Sequence, residues 1–407
     1  MEKLQPSLRF PEFKGDWKLI KLNQLLDFKN GINASKEQYG KGYKFINVLD
    51  ILNNDYINYD NIIGRVDIDE NIASKNLVKY GDILFQRSSE TREEVGSANV
   101  YLDKDKNAVF GGFVIRGAKI GDYEPVFFNK LLKTDLSRDE ITKRAGGSTR
   151  YNIGQDTLSN ISLPFPSLSE QQKIASFLTA VDEKLALLKE KKNKLEQYKK
   201  GVMQKIFSQE LRFKDEEGNE YPEWEEKRLG EVVLIQGGFA FKSQLFGKGK
   251  NKVLRIGDIT KNILNENFTG VYSSELPNDK YKVSKGDFVI ALSGATFGKI
   301  GRINDNIEYY INQRVATFRT EQCLNFFFYV MQNHTFIEYI QSIPSTGAQP
   351  NISNDDIGRF IFPVPSIEEQ TKIANFLSVI DEKIEIVNQQ IKNTEEYKKG
   401  LLQGMFC

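Results

Sequence analysis

Two stretches of the chain carry apolar residues at alternating spacings of three and four, the pattern of a helix with one apolar face. The predicted apolar seam comprises Ile174, Phe177, Val181, Leu185 or Leu188, Leu195, Tyr198 and Val202 in the first stretch, and Ile373, Phe376, Ile380, Ile384 or Val387, Ile391, Tyr397 and Leu401 in the second. No proline interrupts residues 167–207 or 366–407. Each helix can therefore extend over about 38 residues, roughly 57 Å.

Each predicted helix begins with the same short signal. Ser167 follows a proline and precedes Glu170 by three positions, and Ser366 and Glu369 repeat the arrangement. Proline disfavours helix in the residue before it, and serine followed three residues later by glutamate is a capping box, in which both side chains bond to backbone amides. We expect both helices to begin directly after these serines.

The two helices are copies of one segment. At an offset of 199, residues 164–207 and 363–406 are identical at 20 of 44 positions. A long helix with one apolar stripe needs a partner for that stripe, and two matching helices in one chain supply it. The pattern favours a mutual coiled coil, with the packing of each helix on its own globular domain as the alternative.

Short apolar runs between glycine, asparagine and aspartate fill the rest of the chain, as at residues 80–89 and 285–294. Such runs predict strands and turns, so each block is expected to be mixed α+β. The echo of "LRFPEF…W" (from Leu8) in "LRF…YPEW" (from Leu211) indicates that the two blocks are related. The predicted segments are a first block (1–163), a first helix (164–208), a second block (209–362) and a second helix (363–407).

Composition excludes several classes of protein. The chain has 407 residues and a formal net charge of +1, so any contact with nucleic acid must rest on local basic patches. Two cysteines are too few for a disulfide framework or a zinc site, and the one histidine, His334, excludes mechanisms that need two. The apolar runs are too short to span a bilayer and the N-terminus lacks a signal core. We expect a cytoplasmic protein without a metal of its own.

A glycine-rich stretch, "SGATFGKIG" at residues 293–301, does not fit a phosphate-binding loop. Gly294 and Gly298 flank three residues where that loop has four, and Ile300 stands where it has a hydroxyl. The N/D-P-P-Y/F loop of an adenine methyltransferase does not occur in the sequence. The sequence therefore indicates no catalysis by this chain.

The layout and several motifs resemble the specificity subunit of type I restriction–modification systems, and the resemblance covers the whole chain. The stretches that carry it are "LPFPSLSEQQKIASFLTAVDEKL" at 163–185, "FPVPSIEEQTKIANFLSVIDEKI" at 362–384, "RIGDI" at 255–259, "SGATFGKIG" at 293–301 and "INQRVATF" at 311–318. It implies two target-recognition domains, each reading one half of a split, asymmetric site in double-stranded DNA. It also implies that the two long helices are antiparallel spacers that set the unread gap.

The resemblance further implies a set of partners. Two methyltransferase subunits would dock on the helices and methylate adenine with S-adenosylmethionine. Restriction subunits would join through the complex and use ATP and Mg²⁺, while this chain would bind no cofactor. The first block departs from the family pattern, because "QRSSETREEVG" at 86–96 stands where the second block has "SGATFGKIG".

Exposed polar loops are the candidates for DNA contact, because arginine and amide side chains read base edges and lysine holds phosphate. The candidates in the first block are Arg87, Ser88, Ser89, Arg92, Arg144, Ser148, Thr149, Arg150, Tyr151 and Asn152. Those in the second block are Lys242, Ser243, Gln244, Lys248, Lys250, Ser293, Thr296, Lys299, Ser345, Thr346, Gln349 and Asn351. Lys248, Lys250 and Lys252 are assigned to phosphate.

Two other functions stay open at this point. One is a scaffold that carries two binding modules on a coiled coil and does not bind DNA, which the near-zero net charge would suit. The other is a self-contained restriction–methylation enzyme, against which the missing motifs argue. Salt-dependent binding to a split duplex tests the first, and a methyl-transfer assay of the purified chain tests the second.

Overall fold

The computed structural model describes residues 4–343 and 351–407, and these fall into two units. The first unit joins Met1–Lys189 to Gln389–Cys407, and the second is Glu190–Asn388. Each unit therefore combines one sequence block with parts of both long helices.

The first unit contains short strands and helices, the beginning of one long helix and the end of the other. Its strands are β1 (Lys18–Lys21), β2 (Leu26–Asn30), β3 (Tyr39–Ile46), β4 (Arg65–Val66), β5 (Ile83–Gln86), β6 (Ser88–Ser89), β7 (Ala98–Val100), β8 (Val109–Phe110), β9 (Val114–Lys119), β10 (Tyr151–Asn152) and β11 (Ser162–Phe165). Its helices are α1 (Val48–Asn53), α2 (Glu70–Ser74), α3 (Pro125–Leu132), α4 (Asp135–Thr142), α5 (Gln155–Ser159) and the beginning of α6 (Leu168–Phe207).

The largest sheet of the first unit contains a fully buried inner strand. The largest sheet has the antiparallel order β2–β9–β5–β7, and every residue of β5 is buried. A second sheet has the order β4–β3–β8, in which β3 and β8 are parallel. The pair β1–β11 brings the start of the domain beside the strand that leads into α6.

The second unit repeats this plan. Its strands are β12 (Glu225–Arg228), β13 (Leu234–Gly237), β14 (Phe246–Leu254), β15 (Asn262–Ile263), β16 (Val271–Ser273), β17 (Lys282–Val283), β18 (Phe288–Ala291), β19 (Ile300–Ile303), β20 (Tyr309–Ile311), β21 (Val315–Arg319) and β22 (Ile361–Val364). Its helices are α7 (Leu229–Val232), α8 (Leu324–Val330), α9 (His334–Ser342), α10 (Asn354–Gly358) and α11 (Ile367–Gly404), of which α11 continues into the first unit. The sheets have the orders β13–β21–β18–β19–β15, β16–β14–β20–β17 and β12–β22.

The long helices have the predicted lengths and run antiparallel. α6 has 40 residues and α11 has 38. In the first unit, Lys189 Nζ lies 2.8 Å from a Glu395 oxygen and Lys398 Nζ lies 2.6 Å from an Asp182 oxygen, so numbers rise along one helix as they fall along the other. The predicted fold, two mixed α/β domains with an antiparallel helix pair, is confirmed.

Each unit has a core to which both long helices contribute. In the first unit, Ile174 and Leu178 of α6 and Leu401 of α11 join the strands in one apolar cluster, together with Phe406. In the second unit, Val202, Ile206, Ile373 and Leu377 hold the corresponding positions. Burial of one such side chain contributes about 1.5–3 kcal/mol, so both helices stabilise both domains.

The start of each long helix is held by an arginine, a tryptophan and a glutamate. Glu170, buried at the first turn of α6, accepts hydrogen bonds from Arg9 (2.7 and 2.8 Å) and from Trp17 Nε1 (3.3 Å). Glu369 accepts in the same way from Arg212 (2.9 and 3.3 Å) and Trp224 Nε1 (2.9 Å). The hydrogen bonds to the carboxylates raise the pKa of both arginines.

The predicted capping box is confirmed for the serine and wrong for the glutamate. Ser167 Oγ does accept from the Glu170 amide at 3.4 Å, but the Glu170 carboxylate binds the guanidinium instead of returning to the serine. A carboxylate buried this deeply needs a charged partner, and an arginine fork satisfies both oxygens at once.

A second repeated contact is an ion pair between the helices. Asp182 receives Lys130 at 2.7 Å and Lys398 at 2.6 Å, and Asp381 receives Lys199 at 2.7 Å. Burial alone would raise the pKa of Asp182, but the two lysines outweigh burial and lower it. The first lysine of each "YKKG" sequence thus pairs with the aspartate of the other copy's "DEK".

These ion pairs explain an error in the predicted seam. Tyr198 and Tyr397 are 54% and 55% exposed, so their assignment to the seam was wrong. The buried position is Lys199, which is 7% exposed, because its apolar stem packs inward while its ammonium meets a carboxylate. Of the other predicted positions, Ile174, Val181, Ile373, Ile380, Ile384, Val387, Val202 and Leu401 are buried, whereas Phe177, Leu185, Leu188, Leu195, Phe376 and Ile391 are half-buried.

Candidate nucleic-acid interface

The two candidate loops of the first domain meet in the structure. β6 and β10 pair antiparallel, with Ser89 opposite Tyr151 and Ser88 opposite Asn152. The amide of Ile153 also donates to the carbonyl of Arg87 at 3.0 Å. Segments more than 60 residues apart in sequence therefore form one edge of the domain.

Two arginines and an aromatic ring are exposed at this edge. The guanidinium carbon of Arg150 lies 5.6 Å from the ring centroid of Phe113, which is itself 61% exposed. Arg87 donates from its backbone to the Phe113 carbonyl at 2.9 Å and from Nη1 to the Gly112 carbonyl at 3.4 Å. Both guanidinium groups remain exposed and able to bind an anion or a base edge.

The other candidates of the first domain differ in their surroundings. Arg92 donates to the Thr142 carbonyl at 3.3 Å, and Arg144 pairs with Glu140 within α4 and its end. Ser148, Thr149 and Asn152 are exposed, and Tyr151 is half-buried. Ser88 and Ser89 are buried at the β6–β10 pairing, so they do not lie on the exposed surface that their prediction as DNA contacts assumed.

The second domain brings its candidate loops together in the same way. Ser293 and Asn351 form an antiparallel bridge, and the amide of Ile352 donates to the Leu292 carbonyl at 2.9 Å. Asn351 and Lys299 are exposed, whereas Ser293 is buried and does not reach the surface as predicted. Thr296 is half-buried and its hydroxyl donates to the Ile256 carbonyl at 3.2 Å. The candidates Ser345, Thr346 and Gln349 lie outside the described residues.

A lysine-bearing loop interrupts β14. Lys248 and Lys250 are exposed in this loop, and Lys242, Ser243 and Gln244 are exposed just before the strand. The pairing of β14 with β16 shifts register between Phe246 and Asn251, and Gly249 has a φ of 129°. A Cβ at Gly249 would lie 2.4 Å from the Ser273 carbonyl oxygen, so a glycine is needed where the loop turns. The strand thereby presents its lysines away from the sheet.

The first domain has a matching loop that the sequence prediction missed. β3 and β4 shift register between Tyr39 and Tyr43, and Gly42 has a φ of 82°. Lys41 is exposed there and pairs with Asp67 at 2.9 Å. The signal was available, because "YGKG" at 39–42 repeats as "FGKG" at 246–249.

A cleft of about 610 Å³ in the second domain was also missed. Its lining includes Phe241, Phe246, Arg255, Asn312, Gln313 and Arg314. The stretches "RIGDI" and "INQRVATF" supply four of these six residues, yet neither was predicted to contact DNA. Their side chains come together only through the parallel pairing of β14 with β20.

The described residues hold neither a candidate metal cluster nor a helix suited to a membrane. Residues 4–343 and 351–407 contain no group of three or more His, Cys, Asp and Glu side chains placed to hold a metal ion. Within the same ranges, no helix combines the length and the apolar character needed to cross a membrane.

The two related domains of this chain both match one family of DNA-specificity domains. The family model for the type I restriction modification DNA specificity domain matches the chain twice, at residues 14–197 and 221–396. The chain therefore belongs to the type I restriction–modification DNA specificity family. The matched domain is described as a DNA specificity domain, so the prediction of a DNA-specificity subunit is confirmed and the scaffold that does not bind DNA is set aside.

Named relatives agree with this assignment. The chain is 30% identical over 304 residues to the type I restriction enzyme MjaVIII specificity subunit of Methanocaldococcus jannaschii, covering 70% of this chain and 69% of that protein. It is 26% identical over 417 residues to the putative type I restriction enzyme MjaX specificity subunit of the same organism, covering 96% and 93%. The crystal structure of the type I restriction–modification system S subunit from M. genitalium shares the fold, with a TM-score of 0.59, 19% identity and 99% of each chain covered.

Proposed function

We propose that each domain of this specificity subunit binds one half of a split, asymmetric DNA site through the edge formed by its paired loops. The observation that carries the proposal is the pairing itself: in each domain two polar segments, far apart in sequence, form one edge. A groove of DNA requires several side chains at one place, and this pairing supplies them.

The two half-sites are expected to differ, because equivalent backbone positions carry different side chains. Arg87 in the first domain corresponds to Leu292 in the second, since each accepts a hydrogen bond from the isoleucine after the second loop. Phe113 likewise corresponds to Arg314. The Phe113 carbonyl accepts a hydrogen bond from the Arg87 amide at 2.9 Å, and the Arg314 carbonyl accepts one from the Leu292 amide at 2.8 Å. Reading surfaces that differ in this way require an asymmetric target.

Phosphate contacts would supply most of the affinity. Lys41, Lys248 and Lys250 stand on the twin glycine loops, where a strand leaves its sheet. Lysine neutralises phosphate without reading sequence, and each such contact makes binding more sensitive to salt. The net charge of +1 does not oppose this role, because the lysines are concentrated locally.

The partners would be methyltransferase subunits, two in the complex, docked on the long helices, with restriction subunits joining through them. Exposed apolar side chains recur at equivalent positions of α6 and α11, namely Leu187 with Ile386 and Tyr198 with Tyr397. Identical partners require matching surfaces, and these pairs provide them. S-adenosylmethionine, ATP and Mg²⁺ would be bound by the partner subunits and not by this chain.

Mapping methylated adenines tests the proposed function. The chain is expressed with its methyltransferase subunit in a host that lacks other adenine methylation, and modified positions are read across the genome. We expect one motif of two different parts separated by a fixed number of unread base pairs. A continuous motif, or no methylation that depends on this chain, would contradict the proposal.

Arg150→Ala is expected to weaken specific DNA binding by about 1–3 kcal/mol, with the loss confined to one half-site. The reason is that Arg150 is exposed beside Phe113, at the edge where the loops meet. Binding is measured by titrating duplexes in which one half-site at a time is scrambled. Lys18→Ala, an exposed residue on β1, is the control. Equal affinity of variant and wild type for every duplex would remove Arg150 from the interface.

A further inference from the structure

One turn has the same backbone in both domains and different side chains. In the second domain it joins β20 to β21: the Asn312 amide donates to the Leu254 carbonyl at 3.1 Å, and the Val315 amide donates to the Asn312 carbonyl at 2.8 Å. In the first domain the turn joins β8 to β9, where Gly111 bonds to the Ile46 carbonyl at 3.0 Å. The residues carried are Asn312, Gln313 and Arg314 in the second domain, and Gly111, Gly112 and Phe113 in the first.

The turn that faces it is also shared. The Arg255 amide donates to the Asp258 carboxylate at 2.9 Å, and the Asn47 amide donates to the Asp50 carboxylate at 2.7 Å. The second domain thus carries an arginine where the first has an asparagine. Because both turns are fixed by backbone hydrogen bonds, their side chains are presented at defined positions.

In the first domain, the two glycine positions of the turn are crowded. A Cβ added at Gly112 would lie 1.9 Å from the Asn33 side-chain oxygen, and one at Gly111 would lie 3.1 Å from that of Asn47. Ala240 of the second domain is equivalent to Asn33 of the first. Each directly follows a residue that forms a β-bridge to the turn, Ile32 with Gly111 and Phe239 with Asn312. The smaller Ala240 leaves space in the second domain, and the cleft of about 610 Å³ occupies this region.

One nitrogen of an arginine at the cleft lacks an acceptor. The Nε atom of Arg255 is buried and has no hydrogen-bond partner among the residues that the structure describes. The nearest carboxylate, that of Asp258, is 3.9 Å away, beyond hydrogen-bonding distance. A buried donor without a partner is costly, and an acceptor brought by a ligand would remove the cost. Gln313 and Arg314 are exposed at the same cleft.

We propose that Arg255, Gln313 and Arg314 read the bases of the second domain's half-site, and that this half-site contains a guanine bound by one of the two arginines. The inference rests on the proposed function and assigns base recognition to a turn outside the loops predicted from sequence. A guanidinium fork fits guanine O6 and N7, and the glutamine amide fits adenine N6 and N7. The first domain, with glycines at this turn, reads its half-site through Arg87 and Arg150.

Arginine-to-lysine variants separate base reading from phosphate binding. Lysine keeps the charge that holds a phosphate but loses the planar fork. Arg255→Lys and Arg314→Lys are prepared in the full chain, in complex with its methyltransferase subunits, and Arg359→Lys is the control. Methylation kcat/KM is measured on duplexes that carry each single base-pair change in either half-site of the mapped motif.

We expect at least one of the two variants to lose about 10- to 100-fold of its discrimination at a G·C pair in one half-site. Discrimination in the other half-site, the one weakened by Arg150→Ala, should be unchanged, which also shows that the variant complex is folded. The salt dependence of binding should match that of wild type.

Two results would overturn the inference alone. The first is discrimination equal to wild type at every base pair in both variants. The second is an equal loss of kcat/KM on all duplexes with a shallower salt dependence, which indicates phosphate contact. Wild-type complex that methylates no bipartite motif would overturn the proposed function, and the inference with it.

Discussion

Asp381→Ala is expected to lower the free energy of unfolding by about 3 kcal/mol at pH 7, because it leaves a buried ammonium without its partner. Lys199 Nζ lies 2.7 and 2.8 Å from the two Asp381 oxygens, and the Tyr329 hydroxyl donates to the same carboxylate at 3.0 Å. The loss is measured by urea denaturation followed by circular dichroism. Lys200→Ala, which removes an exposed neighbouring charge, is the control and should change stability little.

The pH dependence of the Asp381→Ala effect identifies its cause. Burial lowers the pKa of Lys199 even though Asp381 opposes the shift. A lysine whose pKa is lower in the folded state than in the unfolded state favours folding as pH rises between the two values. Without Asp381 the pKa of Lys199 in the folded state falls further, so the pH range over which stability rises becomes wider. The destabilisation caused by Asp381→Ala should therefore be smaller at pH 9 than at pH 7.

The double variant Asp381→Ala/Lys199→Met should recover much of the loss, because no unpaired charge then remains buried. An Asp381→Ala protein as stable as Lys200→Ala would show that the pair contributes little.

Adding four residues to both long helices, after Lys189 and after Asn388, is expected to abolish methylation of the original motif. A new motif should appear with the same two halves and a gap longer by one or two base pairs. Four residues add about 6 Å and turn a helix by about 400°, close to one full turn. Inserting into both helices preserves the pairing of an antiparallel pair. The shift in methylated positions is read by genome-wide mapping, as for the parent.

A length-neutral change controls for local damage in this experiment. Lys191→Ala alters an exposed residue near the insertion point and should leave the gap unchanged. If the insertion changes the bases read while the gap stays the same, the helices do not set the spacing of the half-sites.

The helix pair was predictable because its signal is periodic and local. The spacing of apolar residues and the serine before each helix give its extent directly. The choice between Tyr198 and Lys199 at the buried position was not predictable, because it depends on a carboxylate of the other helix. An amphipathic pattern ranks tyrosine above lysine, and only the position of Asp381 reverses that order.

The contacts that fix the helix starts show a different limit. The echo between the segments beginning at Leu8 and Leu211 was visible, and so were Glu170 and Glu369. The sequence could not show that the arginine of the first segment binds the glutamate of the helix. The two residues are some 160 positions apart, and no local pattern reports a contact over that distance. Periodicity reports what a residue does within its own element, not which distant partner it meets.

The recognition surface was predictable as a set of regions and not residue by residue. Polar loops indicated Arg87 and Arg150, which the structure leaves exposed. Ser88 and Ser293 stand in equally polar stretches but are buried by the pairing of the loops. Arg255 and Arg314 were missed because they follow or precede strand residues, and a short turn between strands has too few residues to give a pattern.

The composition of the first unit has a consequence for synthesis. Residues 389–407 complete its core, and the Phe406 ring packs at 6.3 Å from Trp17 and 5.4 Å from Phe127. A ribosome adds roughly 5–20 residues per second, so the first domain waits on the order of 10–40 s for its last segment while the second is being made. Until then the nascent domain exposes the apolar surface that Phe406 and its neighbours later cover. The first domain is thus synthesised first but completes its folding last.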